Sequence, residues 1–150
     1  YPFLIYSLIV WGNTYPTTIK PLFILQKRAI RTITFSRFDE HSSPLFKKVS
    51  ILKLFDLIKF QTSLFMYKFY TKKLPVVFDS YFQLINEVHS YNTRLSSKHA
   101  FALPKARTNY GIFSIKFTGA KIWNSLDASV KSLSIKSFKA RLRERFIKNY

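Results

Sequence analysis

The run from Lys53 to Lys73 constrains this chain most, because it contains neither Gly nor Pro, the two residues least tolerated inside a helix. Leu54, Leu57, Ile58, Leu64 and Phe65 recur in it at helical spacing and form one apolar face. A helix of about 20 residues would be about 30 Å long, enough to cross a small domain. Lys72 and Lys73 suit the negative end of its dipole, and Leu74-Pro75 stops it. A chain of 150 residues organised around such a rod fits one domain, or one domain with a tail.

Other helices are predicted on either side. Gly12-Asn13 and Pro16 mark a turn, Thr17 or Thr18 can cap a helix, and Pro21 would fall in its first turn. Ile19, Leu22, Phe23, Ala29, Ile30 and Ile33 make its apolar stripe, while Lys20, Lys27 and Arg31 lie on another face with Arg28 nearby. Ser36 to Pro44 reads as a loop, and Ser43-Pro44 starts a short helix to about Val49. Pro75 opens another through Phe82. Phe113, Ile115 and Phe117 alternate with Ser114 and Lys116, a strand pattern. Ala100 to Leu103 would pair with it across a turn at Asn109-Tyr110-Gly111, giving an antiparallel hairpin near residues 100–117. A helix with Ala120, Trp123 and Leu126 would start at Thr118-Gly119. Ser134 or Ser137 caps a last helix striped by Ile135, Phe138, Leu142 and Phe146, with Lys136, Lys139, Arg141, Arg143, Arg145 and Lys148 on the remaining surface.

The charge points to the partner. Lys and Arg number 25 against 7 Asp and Glu, a formal charge of +18, and such density attracts anions: nucleic acid, an anionic membrane or an acidic protein. Residues 1–88 carry net +7 and residues 89–150 net +11. Hydrophobic residues at 47% exclude a disordered basic tail. Rings beside bases, as in Tyr67-Lys68-Phe69 and Phe138-Lys139, could stack on bases and neutralise phosphates, although most rings in any protein fill its core. The helix near residue 27 would dock by its apolar face and offer Lys27, Arg28 and Arg31 to phosphate; Lys139 and Arg143 would do so from the last helix. A single grip of this kind requires the two sets to share one continuous positive groove.

Catalytic constellations are missing. The acids Asp39, Glu40, Asp56, Asp79, Glu87, Asp127 and Glu144 include no Asp-Asp pair of the kind that holds two metal ions. No zincin spacing of His, no Gly-x-Ser-x-Gly elbow and no glycine phosphate loop occurs. Without cysteine there is no disulfide scaffold, thiolate zinc site or cysteine nucleophile, a composition that fits a reducing compartment. The apolar segment Phe3 to Trp11 has no basic residue before it and is too short to span a bilayer, so a core helix or strand is expected. Nucleus or cytoplasm fits this composition, and secretion does not. Tyr1 stands first and Met66 is the sole methionine, which leads us to expect a piece of a longer protein.

Several blocks, in order, carry a resemblance. They are Trp11-Gly12, Leu25-Gln26-Lys27-Arg28-Ala29-Ile30-Arg31, His41 to Phe46, Phe65-Met66-Tyr67-Lys68, His89 to Arg94, Arg107 to Gly111, Gly119 to Leu126 and Phe138-Lys139. Together they resemble the C-terminal part, thumb and beyond, of the reverse transcriptase of jockey-like non-LTR (LINE-type) retrotransposons. The resemblance implies a noncatalytic fragment of an RNA-directed DNA polymerase, a mobile-element protein whose upstream palm carries the catalytic aspartates and uses Mg2+. No cofactor and no small-molecule ligand is implied for this chain. Its partners would be RNA and DNA, as a template–primer duplex, and that upstream palm. Lys27, Arg28 and Arg31 match the family block and would contact the backbone first, with Arg94 and Arg107 second.

The architecture expected is mainly α: a thumb-like helical bundle over residues 1–88, then over 89–150 a basic loop, a short antiparallel β-hairpin and C-terminal helices. Two other readings stand beside the nucleic-acid one. The chain could be a basic helical module docking on membrane or protein, or a degenerate retroelement remnant without selected function.

Overall fold

The computed structural model describes residues 2–88 and 99–150. Its helices are α1 (Pro2–Ile5), α2 (Leu8–Trp11), α3 (Pro16–Ile33), α4 (Ser42–Lys48), α5 (Leu54–Tyr70), α6 (Ile85–Val88), α7 (Asn109–Phe113), α8 (Ile115–Asn124), α9 (Ala128–Lys131) and α10 (Ile135–Lys148), with a 3-10 turn at Val76–Phe78.

The run free of Gly and Pro is the hub. α5 buries Leu54, Leu57, Ile58, Leu64, Met66, Tyr67 and Phe69, together with Thr62 and Ser63. These positions cover most of its circumference, so the helix is enclosed rather than one-sided. α1, α2, α3, α8 and α10 all pack on it. Asp56 in its first turn and Lys68 in its last complement the dipole. Its start is held from a distance: the Tyr150 hydroxyl accepts from the Lys53 N–H at 2.9 Å and bonds Asp56 Oδ2 at 2.9 Å.

Three groups of buried side chains fill the interior, two of them built on α5 and a third, Ile30, Leu45 and Phe46, joining α3 to α4. Leu8, Ile19, Leu52, Leu54, Leu57 and Ile58 make the first. The second is aromatic and centres on the fully buried Trp123, whose ring lies 5.2 Å from Tyr70, 6.0 Å from Phe101 and 6.4 Å from Phe138. Phe60 and Phe146 pack against both groups on α5. Against α5, α8 presents Gly119 and Ala120; a Cβ built on Gly119 would lie 2.7 Å from Met66 Sδ, so the glycine lets the helices meet.

Mainly helical architecture holds, but the β-hairpin does not exist: no strand occurs among the described residues. Its two halves are committed elsewhere. The Ile85 N–H donates to Ala100 O at 3.0 Å, the Ala102 N–H donates to Gln83 O at 2.8 Å, and Leu84 and Phe101 form an isolated antiparallel bridge. The Asn124 side chain then takes the Phe101 backbone on both sides, Oδ1 accepting from N–H and Nδ2 donating to the carbonyl, each at 2.8 Å. That leaves no edge for residues 113–117. Those residues are helical instead, because Thr108 caps α7 by accepting from the Gly111 N–H and Ser114 caps α8 by accepting from the Phe117 N–H. Gly119 therefore lies inside α8 instead of at its start.

Smaller differences have local causes. Phe3 to Trp11 forms two single turns broken at Ser7, whose φ is 50°, and only Leu8 is fully buried. α3 begins at Pro16 with no side-chain cap, so Pro21 sits inside it, on an exposed face where its missing N–H is least harmful. His41 is the N-cap residue of α4, which puts Pro44 two steps further in. The helix expected from Pro75 to Phe82 shortens to the Val76–Phe78 turn. Ser134 does cap α10, accepting from the Ser137 N–H.

Candidate nucleic-acid interface

α10 divides its bases between two flanks. Phe138 and Leu142 point into the core, and helical spacing then places Lys136, Lys139 and Arg143 on one side and Arg141, Arg145 and Lys148 on the other. The first set meets Lys68 of α5 across a groove of about 800 Å3 whose lining includes Phe60 and Phe65. No Asp or Glu lines this groove. The ion pairs among the described residues engage Arg37, Lys59, Arg141 and Arg145, and none of the four groove cations. Arg143 is fixed in place: its Nη2 donates to Ser50 O at 2.6 Å.

The opposite flank is partly neutralised. Arg141 pairs with Glu144 at 3.7 Å and Arg145 with Asp127 at 3.8 Å, around a cavity of about 750 Å3 that both acids line. A phosphate would meet carboxylates there, whereas in the α5–α10 groove it would meet four cations on an otherwise largely apolar lining and no carboxylate. Of the apolar stripe of α10, Phe138 and Leu142 are buried, and Ile135 and Phe146 pack half-buried against the core.

The bases of α3 lie elsewhere. Lys27 Nζ rests 4.5 Å from the centroid of the Phe23 ring. Arg31 Nε donates to Glu40 O at 2.9 Å. Arg28 and Arg31 line a cleft of about 720 Å3 with Phe35 and Phe38. This cleft shares no lining residue with the α5–α10 groove. The structure thus brings together Lys139 with Arg143, and Arg28 with Arg31, but sets the two pairs in separate cavities instead of one continuous groove. Arg107 is exposed just before α7 and lines neither, and Arg94 lies outside the described residues.

Two groove residues, Lys68 and Lys136, are not among the site residues expected from the sequence, although Lys68 closes the Phe65-Met66-Tyr67-Lys68 block. The signal for Lys136 was its i, i+3, i+7 spacing with Lys139 and Arg143. The signal for Lys68 was its place between two rings in Tyr67-Lys68-Phe69, but its nearness to the others depends on how α5 and α10 pack. Among the described residues no cluster of three or more His, Cys, Asp or Glu could hold a metal ion, and no helix is long and apolar enough to cross a membrane. Comparison with protein-family models, curated proteins and solved structures returns no match.

Proposed function

We propose that this chain grips the backbone of nucleic acid without chemistry of its own, as the part of a LINE-type reverse transcriptase beyond the palm would grip a template–primer duplex. One observation carries the reading: Lys68, Lys136, Lys139 and Arg143 converge on a groove with no carboxylate in its lining. The mechanism is neutralisation of phosphates with release of their counterions, which positions a duplex and reads little of its sequence. Polymerisation and its Mg2+ belong to the upstream palm in this reading.

The test is the salt dependence of binding to an RNA–DNA hybrid, followed by fluorescence anisotropy. Four phosphate contacts give a log–log slope of about −3 to −4. Lys68→Gln, Lys136→Gln and Lys139→Gln together should flatten it by about 2 to 3. These three are exposed, and Arg143 is left alone because its bond to Ser50 also supports the fold. A flat salt response, or a slope the triple variant leaves unchanged, overturns the assignment.

A further inference from the structure

The end of α3 carries two features that work against stability and that the groove does not explain. Phe35 is 97% exposed and Phe38 is 89% exposed, and neither ring contacts another among the described residues. Phe35 also has φ 52°. It occupies the left-handed position that closes a helix, where glycine is the usual residue and a bulky side chain is rare. The closure is complete: the Phe35 N–H donates to Thr32 O at 3.2 Å and the Ser36 N–H to Arg31 O at 3.0 Å. Glycine would serve that geometry without strain and without an exposed ring. A strained backbone under an exposed aromatic points to use of the ring.

Its surroundings say for what. Arg28 and Arg31 line the same cleft as the rings, together with Thr32 and Ser36, and no acid lines it. The closing bonds occupy two of the carbonyls at this helix end, those of Arg31 and Thr32. Arg31 uses Nε on Glu40 O and keeps its terminal nitrogens for another partner. The loop is held in shape: Arg37 pairs with Asp39 at 3.3 Å, and the Glu40 N–H donates to Arg37 O at 3.2 Å, presenting Phe38 on a turn. Flat apolar faces beside guanidinium groups suit unstacked bases on a phosphate backbone, and a paired duplex offers no base faces to such rings.

We infer that the cleft at the end of α3 is a stacking site for single-stranded nucleic acid, with Phe35 and Phe38 taking bases and Arg28 and Arg31 the adjoining phosphates. It rests on the proposed nucleic-acid reading for its ligand class, and adds a site for unpaired strand distinct from the duplex groove.

The experiment titrates the full chain with three probes: a single strand carrying 2-aminopurine, an abasic strand of the same length, and an RNA–DNA hybrid. The expected result is tighter binding of the base-bearing strand than of the abasic one, with quenching of 2-aminopurine. Phe35→Ala with Phe38→Ala should weaken base-bearing binding by about tenfold to a hundredfold and leave abasic and hybrid binding unchanged. Phe35→Gly removes the ring while relieving the backbone, so it should lose quenching yet unfold at higher temperature. Equal affinity for base-bearing and abasic strands, unchanged quenching in the variants, or no binding of any strand overturns the site; the last result leaves the rings to a protein partner. Failure of the duplex groove reads out separately, as a hybrid affinity that does not respond to Lys136→Gln and Lys139→Gln while quenching persists.

Discussion

Gln26 stands in the middle of a helix face that is otherwise apolar, and it is buried. Its Nε2 donates to Leu52 O at 2.9 Å and its Oε1 accepts from the Leu54 N–H at 2.8 Å. One side chain thereby satisfies the backbone on both sides of the turn into α5. Gln26→Leu fills the space but strands a buried carbonyl and a buried N–H, so a loss of about 2–4 kcal/mol is expected in urea denaturation. Thr62 is the counterexample. Its Oγ1 is buried with no hydrogen-bond partner among the described residues, and Thr62→Val keeps the shape while removing the orphan. A gain of about 1 kcal/mol is expected in the same assay. Hydropathy patterning cannot tell these residues apart. It placed Leu22, Ala29 and Ile33 on the buried stripe, where all three are exposed, and it passed over Gln26.

Between elements, α8 meets α5 closely at Gly119. Gly119→Ala sets two effects against each other. Alanine favours helix over glycine by about 1 kcal/mol, but the new methyl would lie 2.7 Å from Met66 Sδ, and Met66 is fully buried with no solvent to yield into. Overpacking of this kind costs about 1–3 kcal/mol, so the variant should be less stable than the parent in spite of its better propensity. A double-mutant cycle with Met66→Ala checks the cause, since the pair should then lose less than the sum of the single losses. The same packing explains what was legible among the elements. α5 could be read because an uninterrupted helical period is a local property, and α10 because Ser134 and its stripe are local too. The hairpin failed because alternation at 113–117 is also a local property, whereas the partner strand it needs is decided by Asn124 and by residues 83–85, far from it in sequence. The cap residues Thr108 and Ser114 were the overlooked local signal. For the site, Lys139 and Arg143 could be read as one flank of a helix, but only tertiary packing adds Lys68 and separates both from Arg28 and Arg31.

Over the whole molecule, a formal charge of +18 sits on 150 residues. The ion pairs among the described residues are mostly solvent-exposed, at 3.3 to 3.8 Å, and pairs of that kind stabilise by about 1 kcal/mol at most. Repulsion among the remaining cations should therefore dominate the response to salt. Raising sodium chloride from about 0.01 to about 0.1 M shortens the Debye length from about 30 to about 10 Å. Relief of about 1 kcal/mol of repulsion would raise the unfolding midpoint by about 2–4 °C in a chain of this size. A fold held by its ion pairs would do the opposite and lose stability over the same range. The groove sharpens the test, because cations gathered to meet a polyanion repel one another when it is absent. Lys68→Gln, Lys136→Gln and Lys139→Gln in one chain should raise the low-salt midpoint and flatten its salt dependence while weakening hybrid binding. A lowered midpoint would mean instead that the lysine stems matter for packing more than the charges do for binding, and the groove would then be part of the fold's support and not a surface kept for phosphate.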